Sequence, residues 1–228
     1  MFFHDFLDLK ARDCQIAAME KVHGNNGKVS LSSAIRLLGE GKICAFPTDT
    51  VYGLGARADD GEAISKLFEA KKRPLSRAII LLCADLEMAR TLVEFSPAAT
   101  VLAHYWPGAL TLVLPLKKNT DIAKHALAVS SHLGVRVPAS NIARRLISGF
   151  GRAVATTSAN ISGKPSATSA AQVIDQFKGA IPVLDGGESQ LGEPSTILKV
   201  DGDHVELLRS GPVSLDDIEQ SLGFGIRT

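Results

Sequence analysis

The chain has 228 residues, 45% apolar and 21% charged, with a formal net charge of +1. That length suits one large α/β domain or two small ones with a sizeable core. The near-neutral balance argues neither for nor against a nucleic-acid partner, so any basic surface must come from local clustering. Three cysteines without Cys-x-x-Cys spacing and six scattered histidines offer no structural zinc site and fit a reducing compartment. No apolar run reaches the ~18–20 residues of a membrane span. Met1 to Asp5 is not the start of a signal peptide, because no cationic stretch precedes an apolar core. The expectation is a cytoplasmic protein with no membrane contact.

Residues 1–29 end in the turn-rich His23-Gly24-Asn25-Asn26-Gly27-Lys28 and read as an N-terminal extension. Ser30 offers an N-cap for a helix over 31–39, closed by Gly39 and Gly41. Residues 42–47 read as a buried strand. A polar loop follows, Thr48-Asp49-Thr50-Val51-Tyr52-Gly53-Leu54-Gly55-Ala56. A helix runs from Gly61 to Lys72 with Ile64, Leu67 and Phe68 on one face, and Pro74 ends it. Residues 78–83 are apolar throughout, as in a strand covered on both faces. Helices near 85–93 and 97–105, a turn at Trp106-Pro107-Gly108 and a strand over 110–114 come next. Val135 to Pro138 is a strand and 141–148 a helix. Ala153 to Ala155 leads into Thr156-Thr157-Ser158-Ala159-Asn160. A helix near 169–178, strands at 181–184, 196–200 and 204–208, and a last helix over 215–222 complete the chain. Strands alternating with helices argue one α/β domain with a mixed sheet over 30–213, followed by a C-terminal helix and tail over 214–228.

Four groups of residues offer chemistry. Thr48 and Thr50 are two apart, so an extended backbone would point both hydroxyls the same way. Gly53 and Gly55 would let a ligand approach the backbone. The competing reading is a polar loop that satisfies its own backbone. Gly53-x-Gly55-x-x-Ala58 also mimics a dinucleotide fingerprint, but five residues separate its first glycine from the strand, where the tight turn should follow at once. Lys71-Lys72-Arg73-Pro74, with Arg77 beyond, could offset a helix dipole or hold phosphate. No P-loop pattern is present. Ser158 and Asn160 follow a strand with the same period of two. Arg136 is a charge in a buried-looking strand, which calls for a salt bridge or an anionic ligand.

Taken together, the segments Pro47 to Gly55, Lys71-x-Arg73-Pro74, Trp106-Pro107-Gly108-x-Leu110-Thr111, Val135-Arg136-Val137-Pro138, Ser158 to Gly163, Ser195-Thr196 and Arg209-x-Gly211-Pro212 resemble the YrdC/Sua5 family of threonylcarbamoyl-AMP synthases, in the family's order. The resemblance spans about residues 30–213 and implies the short, single-domain type. It implies a YrdC-like fold, a twisted open mixed sheet with helices and a large concave basic cavity. It implies an enzyme that joins L-threonine, bicarbonate and ATP into L-threonylcarbamoyladenylate and releases pyrophosphate. The product would serve t6A modification at position 37 of tRNAs reading ANN codons, through downstream transferase proteins.

Carried over residue by residue, the resemblance implies that Thr50, Arg136 and Ser195 hold threonine. Lys71, Arg73, Ser158 and Asn160 would be catalytic. Arg73, Arg77, Thr111, Ser158, Asn160, Thr168 and Arg209 would bind ATP, with Mg²⁺ arriving on its phosphates and no metal site of the protein's own. Many members have an asparagine where this chain has Arg77 and a histidine where it has Leu82. Two other readings of the same fold are a non-catalytic module binding tRNA or double-stranded RNA, and a carbamoyl-transfer role as in hydrogenase-maturation proteins, whose acylphosphatase and zinc-finger segments this sequence lacks.

Overall fold

A computed structural model describes residues 27–72, 79–118, 120–123 and 131–227. Arg73 and Arg77 lie outside the described residues, as does most of the N-terminal extension. In chain order the elements are β1 (Lys28–Val29), α1 (Leu31–Gly39), β2 (Cys44–Phe46), β3 (Gly53–Arg57), α2 (Gly61–Ala70), β4 (Ile80–Leu82), α3 (Leu86–Leu92), α4 (Pro97–Leu102), β5 (Leu110–Pro115), β6 (His132–Arg136), α5 (Asn141–Phe150), β7 (Val154–Ser158), α6 (Ala170–Gln176), β8 (Val183–Leu184), β9 (Thr196–Asp201), β10 (His204–Arg209) and α7 (Leu215–Leu222).

The helices begin where side chains can cap them. Ser30 Oγ accepts from Ser33 N, and Asp60 Oδ1 accepts from Glu62 N and Ala63 N. Ser140, Ser169 and Ser214 repeat the device at α5, α6 and α7. Among the described residues no helix is long and apolar enough to cross a membrane.

The strands form one mixed sheet in the order β1-β8-β2-β3-β7-β4-β6-β5-β9-β10. Its centre alternates faces. Leu54, Ala56, Leu81, Ala155 and Val135 point into the larger core with α2, α3 and α4, whereas Phe46, Leu82 and Val154 meet α1 and α5 in a smaller one. α7 returns to the body, where Tyr105 Oη donates to the Asp217 carbonyl.

Two strands were missed from sequence. Lys28–Val29, read as extension, pairs in parallel with β8. Gly53–Arg57, read as loop, pairs antiparallel with both β2 and β7. Two glycines in three residues depress strand propensity, but the Phe46 ring needs the space. A Cβ on Gly55 would lie 2.6 Å from Phe46 Cε1 and 2.7 Å from Val154 Cγ1. Packing across strands therefore explains Gly55, not room for a ligand.

Candidate active site

The cavity opens on the α1–α5 face of the sheet and measures about 180 Å³. Ile80 and Leu82 of β4, and Thr156 and Ser158 of β7, are two apart and share that face. The loop after β2 supplies one wall with Thr48 and Thr50. The approach to β9 supplies another with Pro194 and Ser195. Gly53 also lines the cavity, and a Cβ there would lie 2.7 Å from Thr156 Cγ2.

Thr48 and Thr50 do meet, at 2.9 Å, though through a turn and not an extended backbone. Thr48 Oγ1 donates to the Val51 carbonyl at 2.6 Å and accepts from the backbone N–H groups of Thr50 and Val51. Its one proton is thereby used, so the Thr50 hydroxyl donates to Thr48. The loop therefore satisfies its own backbone and still presents Thr50 to the cavity, combining both sequence readings.

Arg136 is 3% exposed and is held by three hydrogen bonds. Its Nε donates to the Gly108 carbonyl at 2.8 Å, its Nη1 to Thr50 Oγ1 at 2.8 Å and its Nη2 to Asp49 Oδ1 at 2.6 Å. The buried strand charge thus has a salt bridge and also lines the cavity. Burial pulls the guanidinium below its usual value and Asp49 opposes that pull. An arginine remains a cation in either case.

Arg209 reaches the cavity from the opposite side. A register shift between Leu207 and Arg209 bulges β10, and a bulge re-aims the side chain that follows it. Arg209 Nε and Nη2 both donate to the Ser195 carbonyl, at 3.0 and 2.8 Å, and Nη2 reaches Ser195 Oγ at 3.2 Å. Ser195 Oγ also bonds Thr111 Oγ1 at 2.7 Å, so Thr111 supports the wall from behind. Burial lowers the Arg209 value, and the nearby Arg136 charge lowers it further.

The third wall is built on Lys71, at the end of α2 and only 3% exposed. Its Nζ donates to the Ser158 carbonyl, to Ser158 Oγ at 3.3 Å and to Asn160 Oδ1 at 3.0 Å. Ser158 Oγ donates to Asn160 Oδ1 at 2.6 Å, and Asn160 Nδ2 donates to the carbonyls of Ile161 and Lys164. The turn after β7 is thus folded around the ammonium, which a single helix cap would not require.

Thr50, Arg136, Ser158, Ser195 and Arg209 line the cavity, with Lys71, Asn160 and Thr111 in contact behind them. Thr168 does not line it: its hydroxyl and N–H bond Gln172 Oε1. Arg73 and Arg77 lie outside the described residues. Leu82 supplies an apolar wall. Sequence reasoning gave Asp49 no role, since alternation from Thr48 and Thr50 would turn it away. The turn at 48–51 brings it back.

The family model described as "Telomere recombination", for Sua5, YciO and YrdC proteins, matches residues 36–211. The threonylcarbamoyl-AMP synthase of Pyrococcus abyssi is 43% identical over 187 residues, covering 81% of this chain and 54% of that protein. The Buchnera aphidicola protein of the same name is 31% identical, covering 75% of this chain and 94% of its own. A solved structure of P. abyssi Sua5 complexed with L-threonine superposes with a TM-score of 0.81 at 42% identity, covering 86% of this chain and 58% of that one. The chain spans about half the length of the P. abyssi relative and of that from Bacillus subtilis.

Proposed function

The chain belongs to the Sua5/YciO/YrdC family, and from that membership we propose that it makes L-threonylcarbamoyladenylate from L-threonine, bicarbonate and ATP, releasing pyrophosphate. The observation that carries this reading is the convergence of Arg136, Thr50, Ser195 and Arg209 on one cavity. A free amino acid brings a carboxylate, which a buried guanidinium matches, and threonine adds a hydroxyl that Thr50 and Ser195 can bond. The relative's structure with bound L-threonine supports the same ligand.

The reaction has two steps. The threonine amine attacks the carbon of bicarbonate and expels water, leaving a carbamate. A carbamate oxygen then attacks the α-phosphorus of ATP, and the bond to pyrophosphate breaks. Both steps gather negative charge on oxygen. Lys71 places a cation at the Ser158–Asn160 turn, where triphosphate oxygens would lie, and Arg73 and Arg77 follow it in sequence as further phosphate ligands. Mg²⁺ enters as part of the MgATP substrate. Among the described residues no three His, Cys, Asp or Glu side chains group together to hold a metal.

Holding the substrates together removes much of the entropic barrier. The adenylate would feed t6A formation at position 37 of tRNAs reading ANN codons, in the cytoplasm. The deciding measurement is pyrophosphate release with each substrate omitted in turn. Release should require threonine and bicarbonate together. ATP turnover indifferent to threonine would refute the reading, and tight tRNA binding without turnover would favour the RNA-binding alternative.

A further inference from the structure

Asp49 ties three segments of the site together. Its Oδ1 accepts from Arg136 Nη2 at 2.6 Å and from the Ala139 N–H at 3.0 Å. Its carbonyl accepts from the Leu191 N–H at 2.9 Å, in the irregular passage that carries on to Ser195. The carboxylate side chain is 9% exposed, beside a guanidinium that is 3% exposed. A carboxylate is costly to bury, and one on a loop would ordinarily stay hydrated. Here it is drawn in where it meets a cation and a backbone donor at once.

Two consequences follow for the cavity. Arg136 is held at three points, which fixes the plane of its fork and leaves one N–H on each terminal nitrogen. A carboxylate is the partner such a fork suits. The charge also matters. Arg136 and Arg209 line the same cavity. With Asp49 paired to Arg136, two cations and one anion leave a single positive charge, enough for one carboxylate.

Resting on the threonine reading above, we propose that Asp49 is a positioning residue of that site: it sets the plane of Arg136 and, by cancelling one of two guanidinium charges, matches the cavity to a single carboxylate and disfavours a dianion. The test is steady-state pyrophosphate release against threonine at saturating MgATP, with inorganic phosphate as the competing dianion. Wild-type release that ignores threonine would remove the functional reading itself, and this role with it.

Given threonine-dependent release, Asp49→Ala should raise the threonine KM about tenfold or more and leave kcat within about threefold. Asp49→Asn keeps both acceptor bonds at Oδ1 and loses only the charge. Its KM should rise less than about threefold, while phosphate competes with threonine about fivefold more tightly than in wild type. Asp49→Ala added to Arg136→Ala should raise KM no further, because the first acts through the second. An unchanged KM in Asp49→Ala would overturn the role, as would equal damage in both variants without tighter phosphate competition, or additive losses in the double variant. If Asp49→Ala does not fold, Asp49→Asn and its phosphate competition decide.

Discussion

A second cavity, of about 480 Å³, lies among Asp59, Leu81, Met88, Asp121, Ile122 and Arg152, against about 180 Å³ for the one holding Arg136. Leu81 lines the larger, while Ile80 and Leu82 line the smaller, so they open on opposite faces of β4. Both have arginine–aspartate pairs at their walls. At the larger cavity Arg57 binds Asp59 through Nε and Nη2 at 2.8 and 2.7 Å, and Arg152 bridges Asp59 and Asp121 at 2.7 and 3.1 Å. Arg152 is 56% exposed there and Asp121 80%. Water already solvates Arg152 and Asp121, and the 10% exposed Asp59 between the two arginines has its charge answered by both, so a ligand would gain little from them. At the smaller cavity Arg136 is desolvated and held in place before any ligand arrives, while Arg209 stays exposed. Desolvated, oriented charge separates the two places, and volume points the wrong way.

Removing the arginine from each place is the strongest way to break that contrast. Arg136→Ala leaves Asp49 buried without its cation, which costs about 3–5 kcal/mol. Threonine-dependent pyrophosphate release should fall more than about 100-fold, and Arg136→Lys should not restore it, since a point charge cannot replace the fork. Arg152→Ala should stay within about 1 kcal/mol in denaturant titration and leave release unchanged. Equal losses in the two variants would abolish the distinction.

Lys71→Ala is next. It strips a donor from Ser158 and Asn160 and should cost about 1–3 kcal/mol. Adenylate formation should disappear in it, and also in the Ser158→Ala/Asn160→Ala pair, while both stay folded by circular dichroism. Full activity in either purified protein would remove the Lys71 wall from the site. Gly211→Ala acts on the wall from behind. Its Cβ would lie 2.5 Å from the Pro194 carbonyl and 2.5 Å from Thr196 N, so the backbone around Ser195 must move. About 1–3 kcal/mol of stability should go with it, and the threonine KM should rise more than kcat falls.

These effects differ in how far the sequence announces them. Elements with strong local signals are legible. Ser30 caps α1, the apolar run around Ile80–Leu82 is a central strand, and α7 lies over 215–222 as its pattern predicts. β3 is not legible, because its glycines answer to the Phe46 ring and Val154, partners distant in sequence or on another strand. The site residues are legible by type and spacing, but their connections are not. Ser158 and Asn160 announce themselves as a pair, yet that they fold around Lys71 depends on where α2 ends. Asp49 hides in full view within the loop. Only the turn made by Thr48 Oγ1 swings it toward Arg136, and alternation along the chain cannot foresee a turn built by a side chain.

The smallest expected effect tests the ion pairs of the larger cavity directly. The Arg57 hydrogen bond holds the Asp59 carboxyl below the usual carboxylate value. A carboxyl lowered in the folded state adds stability that is fully present above its ordinary value of ~3.9 and disappears as the pH falls through the lowered one. Asp59→Asn should therefore cost about 1 kcal/mol near neutral pH. Urea midpoints of the two proteins should converge as the pH drops below ~4. The threonine KM should not move, because the pair lies on the other face of β4 from the Arg136 cavity. A gap that persists unchanged into acid would mean that Asp59 acts by shape and not by charge. A KM that shifts with it would tie the two cavities together, and the contrast between solvated and desolvated arginines would no longer separate function from structure.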